Sequence, residues 1–262
     1  MLTTIAEQIT ASVADNVHHA GTLGNGVLQR IEELIGSSFE NTLETGCGKS
    51  TIFFSATSKK HLCFALDDRN DSNSSVTFAE TNELFNNKSC EFVFGPSQKT
   101  IPKFDFSTLQ FDVVFLDGPH GHPFVELEYY FVYPYIKKGG YLILDDVNIP
   151  SIGRFADILF EDEMYELVET VVTTAIFRRT DAPVFDPTCD GWFEQRYNRR
   201  RVSDKRAIFL KEENVLDYFT SLNLDHWLHE GKLLSRLGES AQGPLTSNEM
   251  KRMQKVKKKK WF

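Results

Sequence analysis

Apolar positions in the first 36 residues recur at helical spacing. Ile5, Ile9 and Val13 fall every four residues, and Val27, Leu28, Ile31, Leu34 and Ile35 trace the stripe of a second amphipathic helix. Gly21, Gly24 and Gly26 punctuate the join. From about residue 40 the pattern changes to short apolar runs separated by helix-length stretches. The runs are Asn41 to Glu44, His61 to Leu66, Cys90 to Phe94, Asp112 to Leu116 and Tyr141 to Leu144. Several lack polar alternation, as expected of strands covered on both faces by helices. The pattern predicts an α/β fold with a doubly wound, mostly parallel sheet, preceded by N-terminal helices and followed by a C-terminal helical extension. A helix is expected from Pro123 to about Tyr133, ended by Pro134 and then Gly139-Gly140. The β-branched stretch Tyr165 to Arg179 predicts one or two late strands, as a pair antiparallel at one sheet edge. Residues 206–211 suggest another strand and residues 213–237 a helix. The implied domains are an N-terminal helical segment (1–36), the sheet domain (37–211), the helical extension (212–248) and a basic tail (249–262).

Composition narrows the class. The 262 residues carry a net charge of −8, with 41% hydrophobic and 25% charged side chains, the balance of an ordinary globular protein. No apolar run approaches the ~20 residues of a membrane-spanning helix. The N-terminus lacks a basic region before an apolar core, so no signal peptide is expected. Cys47, Cys63, Cys90 and Cys189 show no C-x-x-C spacing and read as reduced, packed thiols of a cytoplasmic protein. Seven of the last twelve residues are basic and none is acidic, so the other 250 residues hold a net −15. That acidic body argues against nucleic acid as the main partner. The tail reads as a solubilising end, or as a contact for an anionic surface. The polar, basic stretch 180–206, with Arg196, Arg199, Arg200 and Arg201, reads as a lid or a solvated loop.

The candidate chemistry begins after the first run, where Glu44-Thr45-Gly46-Cys47-Gly48-Lys49-Ser50-Thr51 joins a strand to a helix. Glycines there let the backbone approach a ligand, and free N–H groups at the helix start face it. A phosphate-cradling P-loop would need glycine at position 43, which is Leu43, and a dinucleotide fingerprint would need glycine at Thr51. Asp67 ends the second run, 21 residues after Gly46, where an acid can accept hydrogen bonds from both hydroxyls of a ribose. Glu44 could meet a cationic amino group. Ribose plus amino acid, with no phosphate to neutralise, describes S-adenosylmethionine (SAM).

These segments, together with FDVVFLDGPH and YIKKGGYLILDDV, resemble the class I SAM-dependent methyltransferases with their Rossmann-like fold, and most of all the methyltransferase-24-type branch. The resemblance covers roughly residues 40–180. It implies that Glu44, Gly46 and Gly48 line the methionine part of the cofactor, that Asp67 holds the ribose, and that Gly95 and Ser97 lie near the adenine. Ser50 stands where the family carries a third glycine, and Pro96 where it often carries an acid.

Asp117 and His120 follow the fourth run, and Asp145 and Asp146 follow the fifth. In an open parallel sheet the carboxyl ends of neighbouring strands open into one crevice. Clustered carboxylates repel unless protonated or bridged by a cation, and hard oxygen ligands suit Mg²⁺, which would lower the pKa of a bound substrate hydroxyl. His120 could take the proton, with His122 a weaker candidate. The D-x-x-H pattern with a later acidic pair is similar to the macrolide sugar O-methyltransferases, and that similarity implies Mg²⁺ on Asp117, Asp145 and Asp146 with His120 as base. The bland alternative has Asp117 touching cofactor or capping a helix, and the other two as plain strand-end acids. The expected function is SAM-dependent O-methylation of a small hydroxylated acceptor. The alternatives are a SAM-binding scaffold and another enzyme on the same fold.

Overall fold

The computed structural model describes residues 4–13, 23–186, 188 and 195–201. The chain divides into two compact units, Met1–Phe185 and Asp186–Phe262. The first carries a seven-stranded sheet. In the second, the described residues include a short helix, Arg196–Arg201. The strand expected at 206–211, the helix expected at 213–237, the basic tail and Cys189 lie outside the described residues.

Helix α1 (Ile5–Ser12) begins with a capping box, in which the Thr4 hydroxyl accepts from the Glu7 N–H and the Glu7 carboxylate accepts from the Thr4 N–H. Its first turn is also held by Glu32 on α2 (Asn25–Ile35), whose carboxylate accepts from the N–H groups of Ile5 and Ala6. Both helices bury their predicted stripes, with Ile9, Val27, Leu28 and Ile31 nearly inaccessible. They share one core with the sheet.

Strands β1 (Phe39–Thr45), β2 (Ser58–Ala65), β3 (Cys90–Phe94), β4 (Phe111–Leu116) and β5 (Ile136–Leu144) run parallel. The hairpin β6 (Tyr165–Val171) and β7 (Thr174–Arg179) adds an antiparallel edge, giving the order β3-β2-β1-β4-β5-β7-β6. The continuous apolar runs are explained by two cores, one on each face. Val113, Phe115 and Ile143 point to one, and Val114, Leu116, Leu142 and Leu144 to the other. Helix α3 (Lys49–Thr57), between β1 and β2, packs Phe53 and Phe54 into the first core. Helices α6 (Phe124–Val132) and α7 (Pro150–Phe160) cover the second. The short helices α4 (Ser75–Glu80) and α5 (Ser97–Thr100) follow the carboxyl ends of β2 and β3.

One sequence expectation is corrected. Gly139 and Gly140 do not end the helix after β4. That helix stops at Val132, a 3-10 turn with Pro134 follows, and β5 has already begun at Ile136. The glycines sit in an irregular stretch, because Phe111 pairs with Ile136 but Val113 pairs with Tyr141. Gly139 has φ +76, and a side chain on Gly140 would press on the carbonyls of Asp112, Lys137 and Phe111 at 2.9–3.1 Å.

The strand order reverses between β1 and β4, and at such a switch point the loops after adjacent strands part into a crevice.

Candidate active site at the carboxyl ends of the parallel strands

A cavity of about 490 Å³ opens above the ends of β1, β2, β3 and β4. Gly46 takes φ +90 and donates its N–H to the Phe64 carbonyl at 3.0 Å. A Cβ on Gly46 would collide with the carbonyl oxygen of Asp117, so the loop after β1 can lie against the end of β4 only with glycine there. Gly48 is extended and has open space around its Cα. Its N–H donates to the Thr51 hydroxyl at 2.8 Å and closes the first turn of α3.

Gly46, Gly95, Ser97 and Asp117, four residues expected at the cofactor, line this cavity together. The two acids expected beside them are placed differently. Glu44 is fully buried, with one oxygen 3.1 Å from Nε2 of His61 and the other without a hydrogen-bond partner. The far nitrogen of His61 meets the Thr42 hydroxyl at 2.9 Å. Asp67 is partly exposed and forked by the Arg69 guanidinium at 2.8 and 2.7 Å, which lowers its pKa. Its neighbour Asp68 does line the cavity, but its oxygens accept from Ser74 Oγ and the N–H groups of Ser75 and Val76 at the start of α4.

Next to the cavity, the ends of β4 and β5 bring a second group together. Asp117, His120 and Asp146 each offer a ligand atom within 4.8 Å of the others. Nε2 of His120 lies 3.1 Å from Asp146 and 3.8 Å from Asp117, yet it is aligned for a hydrogen bond to neither. Asp146 reaches back to this group from a left-handed backbone, φ 55, a conformation aspartate tolerates better than most residues. Burial, with the repulsion of Asp145 and Asp146 added, pushes the Asp117 carboxyl up to about 7 against the opposing pull of His120. The neighbouring Asp117 carboxylate, aided by the charges of Asp146 and Asp145, raises His120 above the ordinary histidine value.

Asp145 is not one of the three residues of this group. One of its oxygens accepts from the Thr174 hydroxyl at 2.6 Å and from the N–H of Asp146 at 2.9 Å, so β7 and its own backbone hold it. His120 therefore stands in the cluster where sequence spacing put Asp145. His122 is exposed and 3.3 Å from Glu126 on α6. The donor set of two carboxylates and an imidazole suits a hard or borderline divalent cation. A cation there would also offset the repulsion that adds to the effect of burial on Asp117.

Sequence reasoning missed Glu128. It lies on the buried face of α6, only 1% exposed, and accepts from the Ser97 hydroxyl at 2.5 Å and the Thr45 hydroxyl at 2.9 Å. Burial raises it to about 7, outweighing both hydrogen bonds. One signal was present: Val125 and Val132, three before and four after it, share its helix face and are buried.

Residues 43–147 match the family model of the methyltransferase domain. A comparison with curated proteins finds no match. Among solved structures, a protein assigned as a caffeoyl-CoA O-methyltransferase from Staphylococcus aureus is similar with a TM-score of 0.52 at 14% identity. The similarity covers 68% of this chain and 93% of that one. The O-methyltransferase TomG from Streptomyces achromogenes, involved in tomaymycin synthesis and solved with SAM, has a TM-score of 0.52 at 16% identity over 68% and 91% of the two chains. At such identities the likeness is one of fold. Residues 43–147 thus match a methyltransferase domain, and the sheet around them has the fold of these solved O-methyltransferases.

Proposed function

We propose that the chain transfers the methyl group of SAM to a hydroxyl of a small acceptor, with His120 as the base. The observation that carries this reading is the position of His120 Nε2, beside the cofactor cavity and between two carboxylates, with no aligned hydrogen bond of its own. A histidine so placed can receive a proton from a hydroxyl held at the cavity edge, and the carboxylates stabilise the imidazolium that results.

When bound, SAM supplies an electrophilic methyl on a cationic sulfur. The chain's own residues prepare for it. The Gly46 turn brings backbone rather than side chain against the ligand. The two oxygens of Asp67 suit the two ribose hydroxyls, and Arg69 neutralises that acid until they arrive. The acids at the ends of β4 and β5 give the cavity a negative potential that favours a cationic ligand. Glu44 is buried against His61 and does not line the cavity.

Asp117 and Asp146 are the residues that would hold Mg²⁺, with Asp145 behind them, and the ion would there lower the pKa of an acceptor hydroxyl. Among the described residues no helix is long and apolar enough to cross a membrane. The free thiols Cys47, Cys63 and Cys90 support a reducing, cytoplasmic setting.

The test is a screen of hydroxylated acceptors, with S-adenosylhomocysteine release and product mass as readouts. Product heavier by one CH₂, lost on chelation and restored by Mg²⁺, is the expected result. Failure of the purified protein to bind SAM at millimolar concentration would overturn the reading.

A further inference from the structure

We infer that Glu128 is a positioning residue of the cofactor cavity, fixing the direction of two hydroxyl donors so that Ser97 presents a hydrogen-bond acceptor to the ligand. The inference rests on the reading of this cavity as the SAM site.

A serine or threonine hydroxyl has one proton and two lone pairs. The Ser97 proton goes to one oxygen of Glu128, at 2.5 Å, and the Thr45 proton to the other, at 2.9 Å. Both hydroxyls are then left with lone pairs alone. Gln98 Nε2 donates to Ser97 Oγ at 3.0 Å, and the Asp117 N–H donates to Thr45 Oγ1 at 3.2 Å. Two chains of hydrogen bonds, one from α5 and one from the ends of β1 and β4, thus run in a fixed direction into a single carboxylate. Those are three of the walls of the cavity.

The carboxylate is also pressed against the wall itself. A Cβ on Gly118 would lie 2.5 and 2.9 Å from its two oxygens, so only glycine allows the approach. The position does not call for an acid on packing grounds. Val125 and Val132 flank it on the same buried face, where an apolar side chain would avoid the cost of desolvating a carboxyl. What the acid contributes is direction. With its proton committed, Ser97 can accept from a ligand but cannot donate to it. Next to Gly95 and Gln98 in the cavity wall, that polarity suits a ligand bearing an amino donor, as the adenine ring does at its exocyclic nitrogen. It disfavours a ring with a carbonyl at that position, because two acceptors would face each other.

The test compares S-adenosylhomocysteine with its hypoxanthine counterpart, S-inosylhomocysteine, by calorimetry on the full chain at pH 8 or above, where Glu128 is ionised and accepts from both hydroxyls. The wild type should favour the adenosyl compound. Glu128→Gln keeps the volume, but its amide nitrogen must point at one hydroxyl and reverse it. The variant should bind S-adenosylhomocysteine roughly 10-fold more weakly, the loss of about one good hydrogen bond, and its preference between the two compounds should shrink. The kcat at saturating SAM should stay within about threefold, a KM effect without a kcat effect, which simple loosening of the fold would not give. Ser97→Ala keeps the result decisive where Glu128→Gln does not fold, since it too should lose the preference. Unchanged affinity and preference in Glu128→Gln, or in Ser97→Ala, would overturn the inference while leaving the cofactor reading intact. A wild type that binds neither compound would overturn both.

Discussion

A buried carboxyl that serves ligand binding should cost stability, and Glu128 lets that cost be measured. In the folded protein its pKa is raised to about 7 from the ordinary 4.5, because burial outweighs the two hydroxyl donors. The unfolded chain therefore gives up this proton first, and between about pH 4.5 and 7 unfolding releases it. By linkage, stability falls as pH rises through that window. The gap corresponds to a ceiling of about 3 kcal/mol. Glu128 is nearly inaccessible, so solvent screening removes little of it. Glu128→Gln has no proton to lose. Measured by urea unfolding without cofactor and with chelator present, the variant should be close to wild type in stability at pH 4.5, where the folded wild type holds Glu128 protonated and, like the amide, with one donor and one acceptor. By pH 8 it should have gained about 2–3 kcal/mol relative to wild type. The pH dependence of the difference is the diagnostic quantity. A difference between variant and wild type that stays constant within about 0.5 kcal/mol from pH 4.5 to 8 would refute the claim that burial dominates this carboxyl.

Two further substitutions probe the loop and the base. Gly46→Ala must hold alanine at φ +90 and drive a methyl group into the Asp117 carbonyl. It should cost roughly 1–3 kcal/mol in thermal or urea unfolding and weaken SAM binding at least tenfold, and normal SAM affinity would show that the loop does not need its close approach. His120→Ala should lower kcat by about 10²–10⁴ while leaving the calorimetric affinity for SAM within a few-fold, and an unchanged kcat would remove it from the mechanism.

Much of the fold was readable because burial on both faces writes itself into sequence. Strands β1 to β5 are legible as apolar runs, and the β-branched content of Tyr165–Arg179 marks the edge hairpin, which pairs antiparallel. Gly139-Gly140 misled because glycine pairs end helices more often than they sit in strands. Here their use is the close packing of an irregular β5 against β4, a tertiary fact with no local trace.

At the site, readability followed backbone more than side chain. Positions were found wherever strand ends dictate them: Gly46, Gly95, Ser97 and Asp117 share one cavity, and Asp146 meets His120. What spacing could not say is where a carboxylate turns once it is there. Asp145 and Asp146 are adjacent, yet Thr174 on β7 draws one away and a left-handed backbone returns the other. Asp67 and Asp68 divide in the same way, one forked by Arg69 and the other capping α4. In each pair the deciding partner lies outside the strand-end motif itself, on a later strand for Asp145 and in the turn leading to α4 for Asp68. Glu128 is the extreme case. Its partners come from β1 and α5, 83 and 31 residues earlier in the chain, so only the folded protein shows that an acid within an ordinary helical segment backs the cavity wall at Ser97. The residues expected to meet the cofactor are thus written locally after each strand. Those that set the direction of its hydrogen bonds are assembled from a distance, and variants there should change ligand preference before they change the fold.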